Sequence, residues 1–287
     1  MDEFTGPPVA ARVRRAKPYD PVSSLQAIRR NRGITHYKLD WNESTIEPSP
    51  KVAEALQRLL CEDRSLHWYP DPGHEELCAR LSGYVGCRPE HLLITNGSDD
   101  ALALVCQTYI DAGDEVVAPF PTYRHFLQFA ELANAAVRLI RKDCPFSFTC
   151  EDIEAALTRH SKIVYLANPN NPTGTLLDPE AICRLAGRYP GILFLVDEAY
   201  YEFSGRSCAG SATALPNMAV TRSFSKCFGL AGLRVGYTVA SGPIISALRR
   251  AHNPKSINRM AQAGAAAALD DLPYYHRYVA ALTQSAA

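Results

Sequence analysis

"RPEHLLITNGSDDALALVCQTYI", residues 88–110, contains the unit from which the rest of the chain is built. "HLLIT" is a short apolar run broken by Asn96-Gly97, a turn signal. Ser98 then stands where a helix N-cap is expected, with Asp99 and Asp100 in the first turn. Leu102, Val105, Cys106 and Tyr109 recur at i, i+3, i+4 and i+7, which is one apolar helical stripe. Strand, turn and helix then repeat downstream. Further strands are expected at "EVVAPF" (115–120), "AAVRLIR" (135–141), "KIVYLAN" (162–168), "ILFLVDEA" (192–199), "AVTRSF" (219–224) and "RVGYTVA" (234–240). Helical stretches such as "PTYRHFLQFAELAN", "CEDIEAALTRH" and "PEAICRLAGRY" separate the earlier ones, and the alanine-rich "AQAGAAAAL" also reads as helix.

Several of these runs are apolar throughout instead of alternating, as strands covered on both faces should be. The β/α alternation implies a mostly parallel sheet with helices on both sides. The last two strands lie too close together for a helical crossover, so one should run antiparallel. The expectation is therefore an α/β fold with three α/β/α layers and a mostly parallel seven-stranded sheet that includes one antiparallel strand.

The 287 residues are 47% hydrophobic and 21% charged, enough for one large domain or for one domain plus part of another, and unlike a disordered chain. Thirty basic and thirty acidic residues cancel, so no global field favours nucleic acid or an anionic membrane. The basic run "ARVRRAK" (11–17) reads as part of a solvated N-terminal arm. No apolar run approaches a membrane span, and the acidic start "MDEFTGPPVA" lacks the apolar segment of a signal peptide. Nine cysteines without a C-x-x-C pair or a His/Cys cluster at zinc spacing read as reduced, mostly buried thiols. A cytoplasmic protein with no metal site is expected.

In open sheets of this kind, ligands bind beyond the carboxyl ends of the strands. Three strand ends carry polar residues there. "NGSD" (96–99) turns a strand into a helix N-terminus, whose free N–H groups and dipole favour an anion such as a phosphate. The Asp99 carboxylate would repel that anion, so the contact is expected from backbone. "NPNNPTG" (168–174) places Asn171 before a proline, which biases it towards an extended conformation and aims its amide at the strand ends. In "LVDEAYYEF" (195–203), Asp197 ends an apolar strand, so its carboxylate needs a cation or strong donors, and Tyr200 follows three residues on. Finally "SFSKCFGLAGLRVGY" (223–237) sets Lys226 among small and apolar residues, with Arg234 eight positions on. Desolvation and a nearby cation both lower a lysine's pKa and make its amine a nucleophile. Gly229 and Gly232 are expected to let the backbone curl closely around that site. An aldehyde, a phosphate and an acid-demanding ring nitrogen would meet these groups, and pyridoxal phosphate has all three.

Taken in order, "PYDP", "KLDWNEST", "WYPDP", "NGSDDAL", "PTY", "NPNNPTG", "VDEAYYEF" and "SFSKCFGLAGLRVGY" resemble the fold-type I, pyridoxal-phosphate-dependent aminotransferases of the histidinol-phosphate aminotransferase-like group. The resemblance implies that Lys226 forms the Schiff base with the cofactor and shuttles a proton. It implies that Asp197 keeps the pyridine nitrogen protonated, and that Tyr200 and Asn171 bond the ring's phenolic oxygen. Tyr123 is expected to stack on the ring. The turn Gly97, Ser98 and Asp99, together with Ser223, Ser225 and Arg234, is expected to hold the phosphate. Tyr69 is expected to reach a neighbouring subunit's site in a homodimer, and Tyr19 and Asn42 to line the substrate side. The implied organisation is an arm (1–35), a pyridoxal-phosphate-binding large domain (36–250), and a linker helix with the start of a small domain (251–287).

Relatives of this kind continue through a small C-terminal domain that carries a substrate-binding arginine; here the sequence stops at "ALTQSAA". The segment "HNPKSINRMAQ" (252–262) is similar to relatives with surface-polysaccharide or secondary-metabolite roles, and places Lys255 and Arg259 as candidates for a phosphorylated substrate. The implied reaction is amino transfer between glutamate/2-oxoglutarate and a small, phosphorylated amine or carbonyl compound. Decarboxylation of a phosphorylated amino acid and an inactive cofactor-binding homologue are the alternatives. A DNA-binding regulator is disfavoured because residues 1–35 are too short and irregular to form a winged helix.

Overall fold

Seven strands form one sheet: β1 (Leu92–Thr95), β2 (Glu115–Phe120), β3 (Ala136–Arg141), β4 (Ser161–Ala167), β5 (Leu193–Asp197), β6 (Met218–Ser223) and β7 (Gly236–Ala240). The computed structural model describes residues 7–16, 38–144 and 146–286. The strand order is β1-β7-β6-β5-β4-β2-β3. β2 pairs in parallel with β3 and β4, β4 with β5, and β5 with β6, whereas β7 is antiparallel to both β6 and β1. This is the expected sheet, with β7 as its single reversed strand.

Burial explains the uninterrupted apolar runs. On β4, Val164 and Leu166 pack into one hydrophobic cluster while Ile163 and Tyr165 pack into another on the opposite face. β5 divides in the same way, with Phe194 and Val196 on the first face and Leu193 and Leu195 on the second. Helices Ser98–Tyr109, Arg124–Leu132 and Gly242–Ala251 cover the second face. The first face is covered by helices Pro50–Arg58, Glu75–Val85, Pro179–Arg188, Arg259–Leu269 and Leu272–Ala286. Edge strand β3 alone alternates between exposed and half-buried residues.

Local chemistry sets several helix starts. Ser49, Asp178 and Asn258 accept a backbone N–H as N-caps, and Thr149 with Asp152 closes a capping box. Helix Ser98–Tyr109 begins differently. Its N-cap is Gly97 at φ 83, with no side-chain cap bond, so Ser98 is the first helical residue and not the cap expected from its type. The cysteines are all free; Cys106, Cys150, Cys208 and Cys227 are buried, three are half-buried, and Cys61 and Cys144 are exposed, so fewer are fully buried than expected. Among the described residues no helix is long and apolar enough to cross a membrane, and no cluster of metal-ligating side chains occurs.

The polar ends of β1, β4, β5 and β6 lie on one edge of the sheet, where β7 begins. Thr95 and Ser223 both pair with Gly236, and Asp197 pairs with Ala167 and Thr221. A Cβ at Gly236 would lie 2.6 Å from Ser98 N, 2.7 Å from Gly97 C and 2.8 Å from Arg222 O, all backbone atoms that cannot rotate away. Gly236→Ala should therefore lower stability by about 1–3 kcal/mol, the usual cost of overpacking. Gly187→Ala has open space in helix Pro179–Arg188 and should be neutral or stabilising by up to about 1 kcal/mol. Urea midpoints of the two variants check this. Equal midpoints would mean that the helix does not abut the strand at Gly236.

Candidate functional site

Asp197 is the last residue of β5 and is 5% exposed. Strand parity turns its side chain to the face carrying Tyr165 and Thr221. The Tyr165 hydroxyl donates to Oδ2 at 3.0 Å, and the Thr221 hydroxyl and Ala199 N–H each donate to Oδ1 at 3.2 Å. Tyr165 is itself fixed by stacking on Phe126, with centroids 3.6 Å apart at 11°. Burial pushes the Asp197 carboxyl up to about 6 even with these three donors present.

Lys226 follows β6 in a turn whose Phe224, Cys227, Phe228 and Leu230 are buried in the core. That anchoring leaves the lysine side chain half-buried at the sheet edge, where Nζ donates to the Trp41 carbonyl at 2.7 Å and lies 5.6 Å from the Tyr200 ring centroid. Its pKa is lowered, chiefly by burial, with a smaller contribution from Arg234. The carboxylates of Asp99, Asp197 and Glu43 oppose the shift. The direction agrees with the sequence reading, but desolvation outweighs the neighbouring cation. Tyr200 stands alongside, its hydroxyl accepting from Asn42 Nδ2 at 3.0 Å and Asn171 Nδ2 at 3.4 Å. With both lone pairs engaged, its own proton remains to be donated. Asn42, Asn171, Tyr200 and Phe203 line an open cleft of about 400 Å³.

A cationic cradle adjoins these groups. Arg234 adopts φ 57, Nη1 donates to Ser225 Oγ and to Ala231 O at 3.3 Å, and Nη2 lies 3.7 Å from Asp99 Oδ2. Ser225 N–H donates to Ser223 Oγ at 3.0 Å. Gly97 is required here, since a Cβ would meet Arg234 Nη2 at 2.5 Å and its φ is positive. Gly229, at φ 68, sits 3.4 Å by its absent Cβ from the Ile46 carbonyl, whereas Gly232 faces open space and is not needed for close approach, contrary to expectation. The Asp99 carboxylate accepts from the Tyr123 hydroxyl at 2.9 Å and lies 3.7 Å from Arg234 Nη2.

The structure thus gathers Gly97, Ser98, Asp99, Tyr123, Asn171, Asp197, Tyr200, Ser223, Ser225, Lys226, Arg234 and Asn42 at one sheet edge. Tyr69 is 76% exposed, with Lys255 Nζ 4.6 Å over its ring. Tyr19 lies outside the described residues. Sequence reasoning missed Tyr165, Thr221, Gly236 and the Trp41 carbonyl. A signal existed for Tyr165, two residues before the end of β4, because its parity in the parallel register places it on the same face as Asp197.

The raised Asp197 value has a thermodynamic consequence. The folded chain holds this proton more tightly than the unfolded chain, so its contribution is favourable below about pH 4 and is lost as pH rises through 6. About two units at about 1.4 kcal/mol each make the loss at most about 3 kcal/mol. Asp197→Asn should flatten this part of the pH–stability curve in protein stripped of ligand, as read by urea unfolding between pH 4 and 8. Identical slopes for both proteins would show that the carboxyl is not perturbed.

Comparison with known proteins agrees with the geometry. A sequence model of the family described as aminotransferase class I and II matches residues 34–287. The chain is 34% identical over 244 residues to a dihydroxyacetone phosphate transaminase of Campylobacter jejuni, covering 84% of this chain and 66% of that protein. It is 34% identical over 229 residues to a histidinol-phosphate aminotransferase of Caldanaerobacter subterraneus, covering 79% and 64%. The chain therefore spans just under two thirds of the length of these curated relatives. Its fold matches the crystal structure of histidinol-phosphate aminotransferase from Sinorhizobium meliloti in complex with pyridoxal-5'-phosphate at a TM-score of 0.85 and 27% identity, over 99% of this chain and 76% of that one. With the seven-stranded sheet, the matched motifs and the family match all in agreement, the chain belongs to the aminotransferase class I and II family.

Proposed function

We propose that this protein is a pyridoxal-phosphate-dependent aminotransferase that moves an amino group between glutamate/2-oxoglutarate and a small phosphorylated amine or carbonyl compound. The observation that carries the reading is a buried carboxyl and a half-buried lysine, both shifted towards neutrality, at one sheet edge beside a cationic, hydroxyl-lined cradle. The residues present fit the cofactor. The uncapped helix N-terminus at Ser98 and Asp99, the Ser223 and Ser225 hydroxyls and the Arg234 guanidinium make a donor set suited to a phosphate. Gly97 keeps the space beside Arg234 free of a side chain.

Bound there, pyridoxal phosphate supplies an aldehyde that condenses with amines and a protonated ring that draws electrons from the bonds of the attached carbon. Asp197 is the group to hold a proton on the ring nitrogen, and a cation facing it would return the carboxyl to its ionised form. Tyr200, with Asn171 and Asn42 already bonded to its oxygen, is placed to donate to the ring's oxygen. Tyr123, its hydroxyl donating to Asp99, would stack on the ring. Lys226, its basicity reduced by burial, would carry the proton between the substrate's Cα and the cofactor's aldehyde carbon.

Support for a phosphorylated substrate comes from the two relatives, whose names specify dihydroxyacetone phosphate and histidinol phosphate. The cleft of about 400 Å³ is sized for a small molecule. Tyr69, exposed and paired with Lys255, is assigned to the site of a second subunit, which makes the working unit a homodimer.

Adding pyridoxal phosphate should produce a visible absorbance band that borohydride traps on Lys226. Lys226→Ala should give no trapped adduct, and adduct at any other lysine would refute the assignment. Glutamate should then convert the bound cofactor to its pyridoxamine form; carbon dioxide release from a phosphorylated amino acid without that conversion would replace amino transfer with decarboxylation. Light scattering should report a dimer for the loaded protein. A loaded monomer with undiminished affinity would remove Tyr69 from the site.

A further inference from the structure

Beneath the site, on the opposite face of the sheet, lies an ion pair that none of these roles uses. Arg222 and Glu198 have side chains 3% and 0% exposed. Arg222 Nε and Nη2 both reach Glu198 Oε2 at 3.0 Å, and Glu198 Oε1 accepts the Cys208 N–H at 2.6 Å. The Ser207 hydroxyl closes the ring, accepting from Arg222 Nη2 and donating to Glu198 Oε2, each at 2.7 Å. The Tyr201 ring caps the guanidinium, its centroid 3.4 Å away.

The three members that matter are chain neighbours of site residues. Glu198 follows Asp197, Arg222 precedes Ser223, and Tyr201 follows Tyr200. On β6 alternation puts Arg222 and Ser223 on opposite faces, Glu198 stands one residue past the end of β5, and Tyr201 opens the short helix Tyr201–Ser204. The pairing of β5 with β6 ends at Asp197 and Thr221, with a final bond from Glu198 N–H to Thr221 O at 2.8 Å. Where the backbone ladder stops, the side-chain pair takes over the connection between the two strand ends.

Stability alone does not account for it. Burying two charges carries a desolvation cost, and apolar side chains of similar volume in place of such a pair are commonly no less stable. What an apolar pair lacks is direction, which the guanidinium fork onto one carboxylate oxygen, braced by Ser207 and Cys208, provides.

We infer that the Glu198–Arg222 pair is a positioning clamp that sets Asp197, Tyr200 and Ser223 in register for the cofactor without touching it. This rests on the cofactor assignment above. The clamp acts through three backbone links: between residues 197 and 198, between 200 and 201, and between 222 and 223.

The test uses the full chain carrying Glu198→Leu with Arg222→Met, a paired apolar replacement, and Glu198→Gln alone. Three quantities are read: the thermal midpoint without cofactor, the Kd for pyridoxal phosphate, and the pH midpoint of the bound cofactor's visible absorbance. The double variant should fold with a thermal midpoint lowered by a few degrees at most, since the Cys208 N–H and Ser207 hydroxyl lose their acceptor, yet bind the cofactor roughly 10–100-fold more weakly, as on losing an outer supporting contact. Its absorbance midpoint should also shift. Wild-type affinity and midpoint in the double variant would reduce the pair to a structural role and overturn the proposal. Should the double variant not fold, Glu198→Gln decides, with weaker binding and a shifted midpoint expected at unchanged circular dichroism, and wild-type values overturning it. Absence of a Lys226 adduct in the wild-type protein would instead refute the cofactor assignment, and the clamp with it.

Discussion

A carboxyl group at the end of an apolar strand is the constraint around which this molecule is arranged. Asp197 has three donors, yet burial still holds its pKa near 6. Neutral donors in a low-dielectric edge do not replace the hydration of a full charge. The lysine that could neutralise it donates to a backbone carbonyl instead, and burial shifts it too towards its neutral form. Two opposite charges are thus kept near one another without pairing. A ligand with a cationic ring nitrogen at one end and an aldehyde at the other would satisfy both groups at once.

Much of this was legible in the sequence because the governing interactions are local. An apolar run ended by Asn-Gly or by an acid announces a strand covered on both faces and a polar group at its exit, as β1 and β5 show, whereas edge strand β3 is covered on neither face throughout. Lys226 and Asp197 stand out because charge among apolar neighbours is visible in a string of letters. Ser98 was misplaced by one residue because residue type alone does not reveal that Gly97, at positive φ, turns the chain into the helix. The partners of the Asp99 carboxylate, Tyr123 and Arg234, are both remote in sequence.

The remainder was hidden for a single physical reason, which is that it depends on register between distant segments. Tyr165 looks like a core aromatic, and it is one, stacked on Phe126, but its hydroxyl also reaches Asp197 across the β4–β5 pairing. Gly236 looks like one more glycine in a glycine-rich stretch. Only the antiparallel approach of β7 to β1 brings the backbone of Gly97 and Ser98 against it. Gly232, four residues earlier, meets nothing. Close approach is a property of pairs of segments, and composition does not encode it.

The wall of the site opposite the sheet has a different origin. Trp41 and Asn42, which supply the acceptor for Lys226 and a donor for Tyr200, lie on a segment that belongs to none of the strands. That segment is tied down from the far end of the chain. Thr45 N–H donates to the Tyr278 hydroxyl at 3.2 Å, and Ser49 N–H donates to the Tyr275 hydroxyl at 3.0 Å. Both tyrosines sit on helix Leu272–Ala286, and they are buried in the same hydrophobic cluster that underlies Phe224 and Phe228. The core beneath the Lys226 turn and the prop behind Trp41 are therefore one packed body. Displacing that helix would loosen both the lysine's anchor and its hydrogen-bond acceptor, although the helix itself supplies no group to the site.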